Sequence, residues 1–295
     1  MKLIKLHFVY NPRAGKEKIR NHLADILDVF AEAGYEIKVY PTRGCGDAKK
    51  VAENLPDDCD LMVVSGGDGT LDEAVTGLMN AHKTVPIGYI PAGSTNDFGR
   101  SLKLPKSMVR AAETAVKGND FACDIGAFND RHFVYVAAFG LFTDVTYTTP
   151  QKEKNKLGYA AYLLESVKRL SDIKTYSMRV SFEGGSYEGE FLAGLVSNSN
   201  SVGGLKSLTG PHVSLDDGLF EVLLIRVPPS LKDLNETLAA VLDRRIDSDY
   251  AISFTAPKVE FEFKSDVSWS LDGEYGGTCD KALVSVIPKA IKIRT

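Results

Sequence analysis

What most restricts this chain is a rhythm in its first 120 or so residues, where short apolar runs alternate with stretches of helical period. That rhythm is the pattern of a parallel sheet with crossover helices, because parallel neighbours can be joined only by a long returning connection. Leu3 to Tyr10 is the first predicted strand. The helix behind it sets Ile19, Leu23, Ile26, Leu27 and Phe30 on one face and stops at Gly34, a residue that tolerates a left-handed end. Ile37 to Tyr40, Asp60 to Ser65 and Val85 to Ile90 read as further strands, with a helix from about Thr70 to Asn80 between the last two. The strands at Asp60 and Val85 each end in a glycine-containing loop.

From about Phe121 strands arrive at short spacing: Ala122 to Phe128, His132 to Phe139, Met178 to Phe182, Tyr187 to Ser197, Phe220 to Val227, Val259 to Lys264 and Leu283 to Ile287. Met178, Val180 and Phe182 alternate with polar residues, as do Val259, Phe261 and Phe263, which is the period of a sheet wet on one face. Two helices interrupt the strands. Gly158 to Leu170 carries Tyr159, Tyr162, Leu163, Val167 and Leu170 on one stripe, and Ser230 opens a second helix with Asp233 three residues on. The fold class is therefore α/β followed by β: a doubly wound N-terminal domain and a C-terminal β-rich sandwich.

Charge and composition narrow what such a chain does. Lys and Arg number 35 against 39 Asp and Glu, a net charge of −4, so the whole chain carries no basic field for nucleic acid. The longest apolar stretch, Val134 to Phe142, is far short of the ~20 residues that cross a bilayer. The start, Met1 to His7, is interrupted too often for a signal peptide, and a cytoplasmic location is the expectation. Cys45, Cys59, Cys123 and Cys279 form no Cys-x-x-Cys pair, which reads as reduced, mostly buried thiols.

Four loops carry the chemistry. Gly66-Gly67-Asp68-Gly69-Thr70 follows a buried strand and opens a helix, so its glycines allow close backbone approach and the first helical amides attract phosphate oxygens. Asp68 beside phosphates makes sense only with Mg²⁺ or a hydroxyl proton between them. Asn11-Pro12-Arg13-Ala14-Gly15 and Pro91-Ala92-Gly93-Ser94-Thr95-Asn96-Asp97-Phe98 also end strands, at the carboxyl edge where α/β sheets bind ligands. No Walker A element and no Gly-x-Gly-x-x-Gly after the first strand is present, so a nucleotide needs a different cradle. Asp272-Gly273-Glu274 lies far off in the β half, where Asp-Gly is equally the dipeptide of a tight hairpin. Asp216-Asp217-Gly218 reads either as a turn or as an oxygen-ligand metal site, and Asp124 opens a buried strand where a charge needs a partner.

Taken in order, the Asn-Pro-Arg-Ala-Gly, Gly-Gly-Asp-Gly-Thr, Gly-Ser-Thr-Asn-Asp-Phe, Leu215-Asp216-Asp217-Gly218 and Leu271-Asp272-Gly273-Glu274 stretches resemble the bacterial soluble diacylglycerol kinase family over nearly the whole chain. The double-glycine loop is shared with NAD kinases and sphingosine kinases, while the Asn-Asp-Phe stretch and the late Asp-Gly-Glu point to lipid kinases. The resemblance implies an ATP-binding α/β domain over 1–123, rejoined by about 290–295, and a β-sandwich lipid-substrate domain over 124–289. It implies an ATP site lined by Asn11, Pro12, Arg13, Ala14, Gly15, Thr42, Gly66, Gly67, Asp68, Gly69, Thr70, Leu71, Asp72 and Ser94. Asp68, Asp97 and Asp124 would organise a catalytic Mg²⁺, and Asp217 with the backbone oxygens of Ser214 and Leu219 a structural one. Glu274, supported by Asp272, matches the general base. Ala14 stands where the family often has Ser, Asp72 where Asn is usual and Ser94 where Thr is usual; the first removes a hydroxyl contact to phosphate.

The implied activity is transfer of the γ-phosphate of MgATP to the hydroxyl of diacylglycerol, giving phosphatidic acid. Other acceptors within the same chemistry are phosphatidylglycerol and a sphingoid base. NAD as acceptor is disfavoured by Asn96-Asp97-Phe98 and Asp272-Gly273-Glu274, and a non-catalytic nucleotide-binding regulator by the intact acidic residues. Gln151 to Lys174 carries six basic residues against three acidic ones beside the amphipathic helix, a patch that anionic lipid would attract, so a transient peripheral contact with a membrane is expected. Edge strands in the β half would permit pairing into a homodimer.

Overall fold

The computed structural model describes residues 4–141, 143, 173–199, 201–202, 205–206, 213–243 and 248–295. The chain forms two compact units, Met1–Asp124 with Pro288–Thr295, and Ile125–Ile287. In chain order the elements are β1 (Ile4–Tyr10), α1 (Ile19–Glu32), β2 (Tyr35–Pro41), α2 (Asp47–Glu53), β3 (Leu61–Gly66), α3 (Asp68–Asn80), β4 (Ile87–Pro91), α4 (Asp97–Ser101), α5 (Met108–Lys117) and β5 (Asp120–Phe128). They continue with β6 (Arg131–Phe133), β7 (Val136–Gly140), β8 (Tyr176–Phe182), β9 (Gly185–Ser197), β10 (Ser201–Val202), β11 (Leu205–Lys206), β12 (Phe220–Arg226), α6 (Leu231–Leu242), β13 (Ala251–Ala256), β14 (Lys258–Leu271) and β15 (Glu274–Arg294).

The first unit is a parallel sheet in the order β2-β1-β3-β4, extended by the end of β15, where Ile293 pairs with Ile87. Alternation along β1 decides what each face meets. Leu6 and Phe8 join Leu61, Val63 and Ile90 in a core closed by Ile19, Ile26 and Phe30 of α1 and by Ala111, Ala112, Ala115 and Val116 of α5. The helical stripe expected from spacing is the one buried, with Leu23 and Leu27 packed at its margin. Helices α2 and α3 lie together so tightly that a Cβ on Gly77 would stand 2.4 Å from the Lys49 carbonyl oxygen. Because every strand of this sheet runs the same way, the loops after β1, β2, β3 and β4 all leave its carboxyl edge.

The second unit is built of antiparallel strands around an aromatic core. Lys258 to Phe263 of β14 pair on β8 and on β15, and after a register shift Trp269 to Leu271 pair on β7. β9 makes the matching change, pairing with β8 through its first half and with β7 and β12 through its second. Strands that switch partners at bulges are how a sandwich turns its corners. Trp269, fully buried, sits 4.8 Å from Phe139, 4.9 Å from Phe128 and 5.1 Å from Phe261 between ring centroids. α6 begins at a Ser230 cap whose hydroxyl accepts from the Asp233 amide at 3.2 Å, as the spacing predicts.

Several boundaries differ from expectation. His132 to Phe139 is not one strand: β6 stops at Phe133 and β7 starts at Val136. The expected strands at Val259 and Leu283 are parts of the long hairpin β14–β15. Only Cys59 and Cys123 are buried; Cys45 is exposed and Cys279 half-buried. The helix expected over Gly158 to Leu170 lies outside the described residues, as does all of the basic stretch except its last two residues. Of these, Lys174 stands 5.1 Å from the centre of the Tyr176 ring.

One buried charge site in the second unit has a measurable consequence. Glu221 on β12 is 4 % exposed, its Oε2 has no hydrogen-bond partner, and burial, helped by the negative charge of Asp217, pushes its carboxyl from 4.5 up to about 8. Between those values the folded chain holds a proton that the unfolded chain has released, so stability falls as pH rises through that window. Thermal unfolding from pH 5 to 9 should show this slope in the native chain and a flatter profile for Glu221→Gln; parallel profiles would sink the assignment.

Candidate functional site

Three loops meet at the carboxyl edge of the first unit, and absent side chains let them. Gly15 has φ +57°, and a Cβ there would stand 2.4 Å from the Ala92 carbonyl oxygen. A Cβ on Gly66 would meet the Thr70 side chain at 2.4 Å, and one on Gly93 would lie 2.6 Å from the Gly67 Cα. Backbone hydrogen bonds continue the sheet into the loops: the Asn11 amide donates to Ser65 O at 2.8 Å, Ala92 to Gly66 O at 2.8 Å and Thr42 to Tyr10 O at 2.9 Å. Asn11 Oδ1 then accepts from the Arg13 amide at 2.9 Å, turning the first loop and leaving Arg13 exposed.

The second loop enters α3 at Gly67, whose carbonyl accepts from the Thr70 and Leu71 amides while no side chain caps the helix. An uncapped helix start with glycines on both sides of Asp68 is a natural seat for an anion. Thr70 is buried with its hydroxyl 3.4 Å from Asn11 Nδ2, Leu71 is buried, Asp72 is half-buried, and Ser94 is exposed. Asp68 is braced by the third loop: Oδ2 accepts from the Thr95 hydroxyl at 3.1 Å and Oδ1 from the Phe98 amide at 3.3 Å. Burial raises the Asp68 pKa, and the charge of Asp97, itself only 1 % exposed, raises it further. Two neighbouring carboxylates repel unless a cation or a proton lies between them. Their oxygens are hard donors, and Mg²⁺ commonly takes one or two carboxylates and fills its remaining positions with water and phosphate, so these residues fit that ion.

Asp124, fully buried in the same unit, accepts from the Lys289 amide at 2.7 Å, where Lys289 has φ +51°. The Thr42 loop has a support that spacing did not reveal. Glu73 on α3 accepts from the Gly46 and Ala48 amides with its two carboxylate oxygens, at 2.7 and 3.1 Å. Thr95 and Tyr89 were also not singled out for this site from sequence; the signal for Tyr89 is a lone hydroxyl in an otherwise apolar strand, which needs a partner when buried.

In the second unit Asp272 and Gly273, at φ +52° and +87°, form the two-residue turn between β14 and β15, with Leu271 paired to Glu274. The Asp272 carboxylate does more than turn the chain. It accepts from the Val134 amide at 2.5 Å and from the Tyr135 and Val136 amides at 2.9 Å each, across the break between β6 and β7. Glu274 follows as an exposed residue at the start of β15. Asp217 Oδ1 accepts from the Leu219 amide at 3.0 Å beside Gly218 at φ +77°, and the Ser214 hydroxyl donates to Asp216 at 2.7 Å. The turn is thus real, and its donors, all oxygen, suit a hard cation. Among the described residues no group of three or more His, Cys, Asp or Glu side chains is gathered for a metal.

Comparison with known proteins gives a consistent result. The family description "Diacylglycerol kinase catalytic domain" matches residues 5–128, and "YegS C-terminal NAD kinase beta sandwich-like domain" matches residues 138–295. A diacylglycerol kinase of Bacillus subtilis is 34 % identical over 275 residues, covering 92 % of this chain and 90 % of its own length. One from Staphylococcus carnosus is 34 % identical over 275 residues, covering 92 % and 89 %. Among solved structures, a diacylglycerol kinase from Bacillus anthracis superposes with a TM-score of 0.83 at 25 % identity, covering 100 % of this chain and 97 % of that one.

The anchoring of Asp272 predicts a stability effect. Asp272→Asn replaces one acceptor oxygen by an amide group facing buried N–H donors, at a cost of about 1–3 kcal/mol. Urea unfolding followed by emission of Trp269, the only tryptophan, should show a lower midpoint; an unchanged midpoint would remove the anchoring role.

Proposed function

This chain belongs to the diacylglycerol kinase family and is a phosphotransferase, and from that premise we propose that it moves the γ-phosphoryl group of MgATP to the hydroxyl of diacylglycerol at a membrane surface, giving phosphatidic acid. The observation that carries the reading is the bracing of Asp68 by Thr95 and Phe98 at the meeting point of three glycine loops. No described helix is long and apolar enough to cross a membrane.

Phosphoryl transfer passes through a loose transition state, so a protein contributes mainly alignment and charge neutralisation. In this reading the amides of Gly67, Asp68 and Gly69 and the loop Asn11 to Gly15 receive the phosphate oxygens, with Arg13, Thr42 and Ser94 at the margin. Asp68 and Asp97 would hold Mg²⁺, with Asp124 in the surrounding network, and Asp217 with the Ser214 and Leu219 carbonyls would hold a second ion. Bound there, Mg²⁺ supplies positive charge against the phosphate oxygens. The hydroxyl oxygen of the acceptor bonds to the γ-phosphorus as the bond to the ADP oxygen breaks, and Glu274 takes the hydroxyl proton. Asp272, fixed by three amides, sets the turn from which Glu274 projects. The first unit carries ATP and the second the lipid.

The test is to supply labelled ATP and Mg²⁺ with diacylglycerol, phosphatidylglycerol, a sphingoid base and NAD in parallel. Label entering diacylglycerol first and fastest is expected; label entering only NAD would overturn the lipid reading. Glu274→Gln should lower kcat about 10²–10⁴-fold with the KM for ATP little changed, and a variant at full rate would displace Glu274 as the base.

A further inference from the structure

Asp68 and Asp97 repel one another, yet the loops that carry them are held at close quarters, and the groups that hold them carry no charge. Tyr89 of β4, 1 % exposed, donates its hydroxyl to Gly66 O at 3.2 Å and stands 3.5 Å from Asn96 Oδ1. Asn96 in turn grips the third loop twice: Oδ1 accepts from the Gly93 amide at 2.8 Å and Nδ2 donates to Gly93 O at 2.9 Å. Its backbone lies at φ +50°, ψ +53°, immediately ahead of Asp97 and the short helix α4. With its single proton shared between Gly66 O and Asn96 Oδ1, the Tyr89 hydroxyl links Gly66, next to Gly67 and Asp68, to the Asn96 amide, and Asn96 in turn holds Gly93 and precedes Asp97.

From this geometry we infer that Tyr89 and Asn96 form an uncharged bracket that sets the spacing of Asp68 and Asp97, and so the affinity of that pair for a divalent cation; the inference rests on the kinase reading of the same loops. Three features support a positioning role over ordinary core packing. The bracket bonds to both loops through backbone and side-chain amide atoms and uses no carboxylate oxygen. It acts where backbones are already closest, since a Cβ on Gly93 would lie 2.6 Å from Gly67 Cα. Asn96 adopts a left-handed conformation that few non-glycine residues accept, and Asn is among those that do, because its short amide can bond locally.

Tyr89→Phe removes only the hydroxyl and leaves the ring that fills the core. The measurement is Mn²⁺ binding, followed by electron paramagnetic resonance, to the full chain with β,γ-imido ATP and no lipid present. Loss of one buried hydrogen bond should weaken Mn²⁺ about three- to tenfold in Tyr89→Phe, and by more in Asn96→Ala. Turnover in Tyr89→Phe should need correspondingly more Mg²⁺ for half-maximal rate, with kcat at saturating Mg²⁺ close to that of the native chain. Thr237→Ala removes a buried hydroxyl of α6, 2.8 Å from the Ser248 hydroxyl, and should lower thermal stability without touching Mn²⁺ affinity. Equal Mn²⁺ affinity in Tyr89→Phe and the native chain would overturn the bracket, as would an equal loss in Thr237→Ala. A native chain that binds no Mn²⁺ at all would instead remove the kinase reading beneath it, and a failure of the lipid panel alone would leave this result standing.

Discussion

The feature on which the candidate site depends is the near-contact of three stretches of bare backbone. Loops from β1, β3 and β4 converge because Gly15 lies against Ala92 and Gly93 against Gly67, at separations where a Cβ on Gly15 or Gly93 would clash, while Gly66 leaves room for the Thr70 side chain of its own loop. Elementary sterics make this a choice with two effects. The same missing side chains that let the loops approach one another also let a ligand approach their amides. Once the loops touch, polar groups can bridge them, and Asp68 becomes a carboxylate placed by its neighbours: Thr95 and Phe98 fix its two oxygens, and Asp97 charges its surroundings.

The second unit solves a different problem. Its long strands bend and change partners, which opens gaps where backbone amides lose their ladder. At one gap, between β6 and β7, a side chain closes the account: Asp272 accepts three amides in a row from the tip of the β14–β15 hairpin. A carboxylate that accepts several backbone amides at once is among the stronger arrangements a buried site can hold. The turn that carries Glu274 is thereby tied to the sheet behind it, beside an aromatic core centred on Trp269.

Much of this was legible in the order of residues. The parallel strands, the α1 stripe, the Ser230 cap and the period-two burial of Val259, Phe261 and Phe263 follow from spacing alone. What escaped did so for physical reasons. Helix α5 buries Ala111, Ala112 and Ala115, and α2 buries Ala48 and Ala52, so their inward stripes have little apolar contrast. The apolar run from Val134 to Leu141 hides a break that depends on an aspartate 138 residues downstream. The loops that gather at the sheet edge were recognisable by composition, whereas Glu73 and Tyr89 act through single atoms whose partners lie on other elements.

The chain's sequence by itself determined that the first four strands run parallel with helices between them, that a β-rich half follows, and that glycine-rich loops stand at one edge, because these follow from periodicity and from the conformations that residue types allow. Tertiary structure alone decided that Asp68 is braced by Thr95 and Phe98, that Asp124 serves the Lys289 turn, and that Asp272 anchors three amides. Each of those depends on distance between atoms far apart along the chain. A carboxylate looks the same in a sequence whether it will meet a hydroxyl, an amide or another charge; the surroundings that settle its role exist only after the backbone has closed around it.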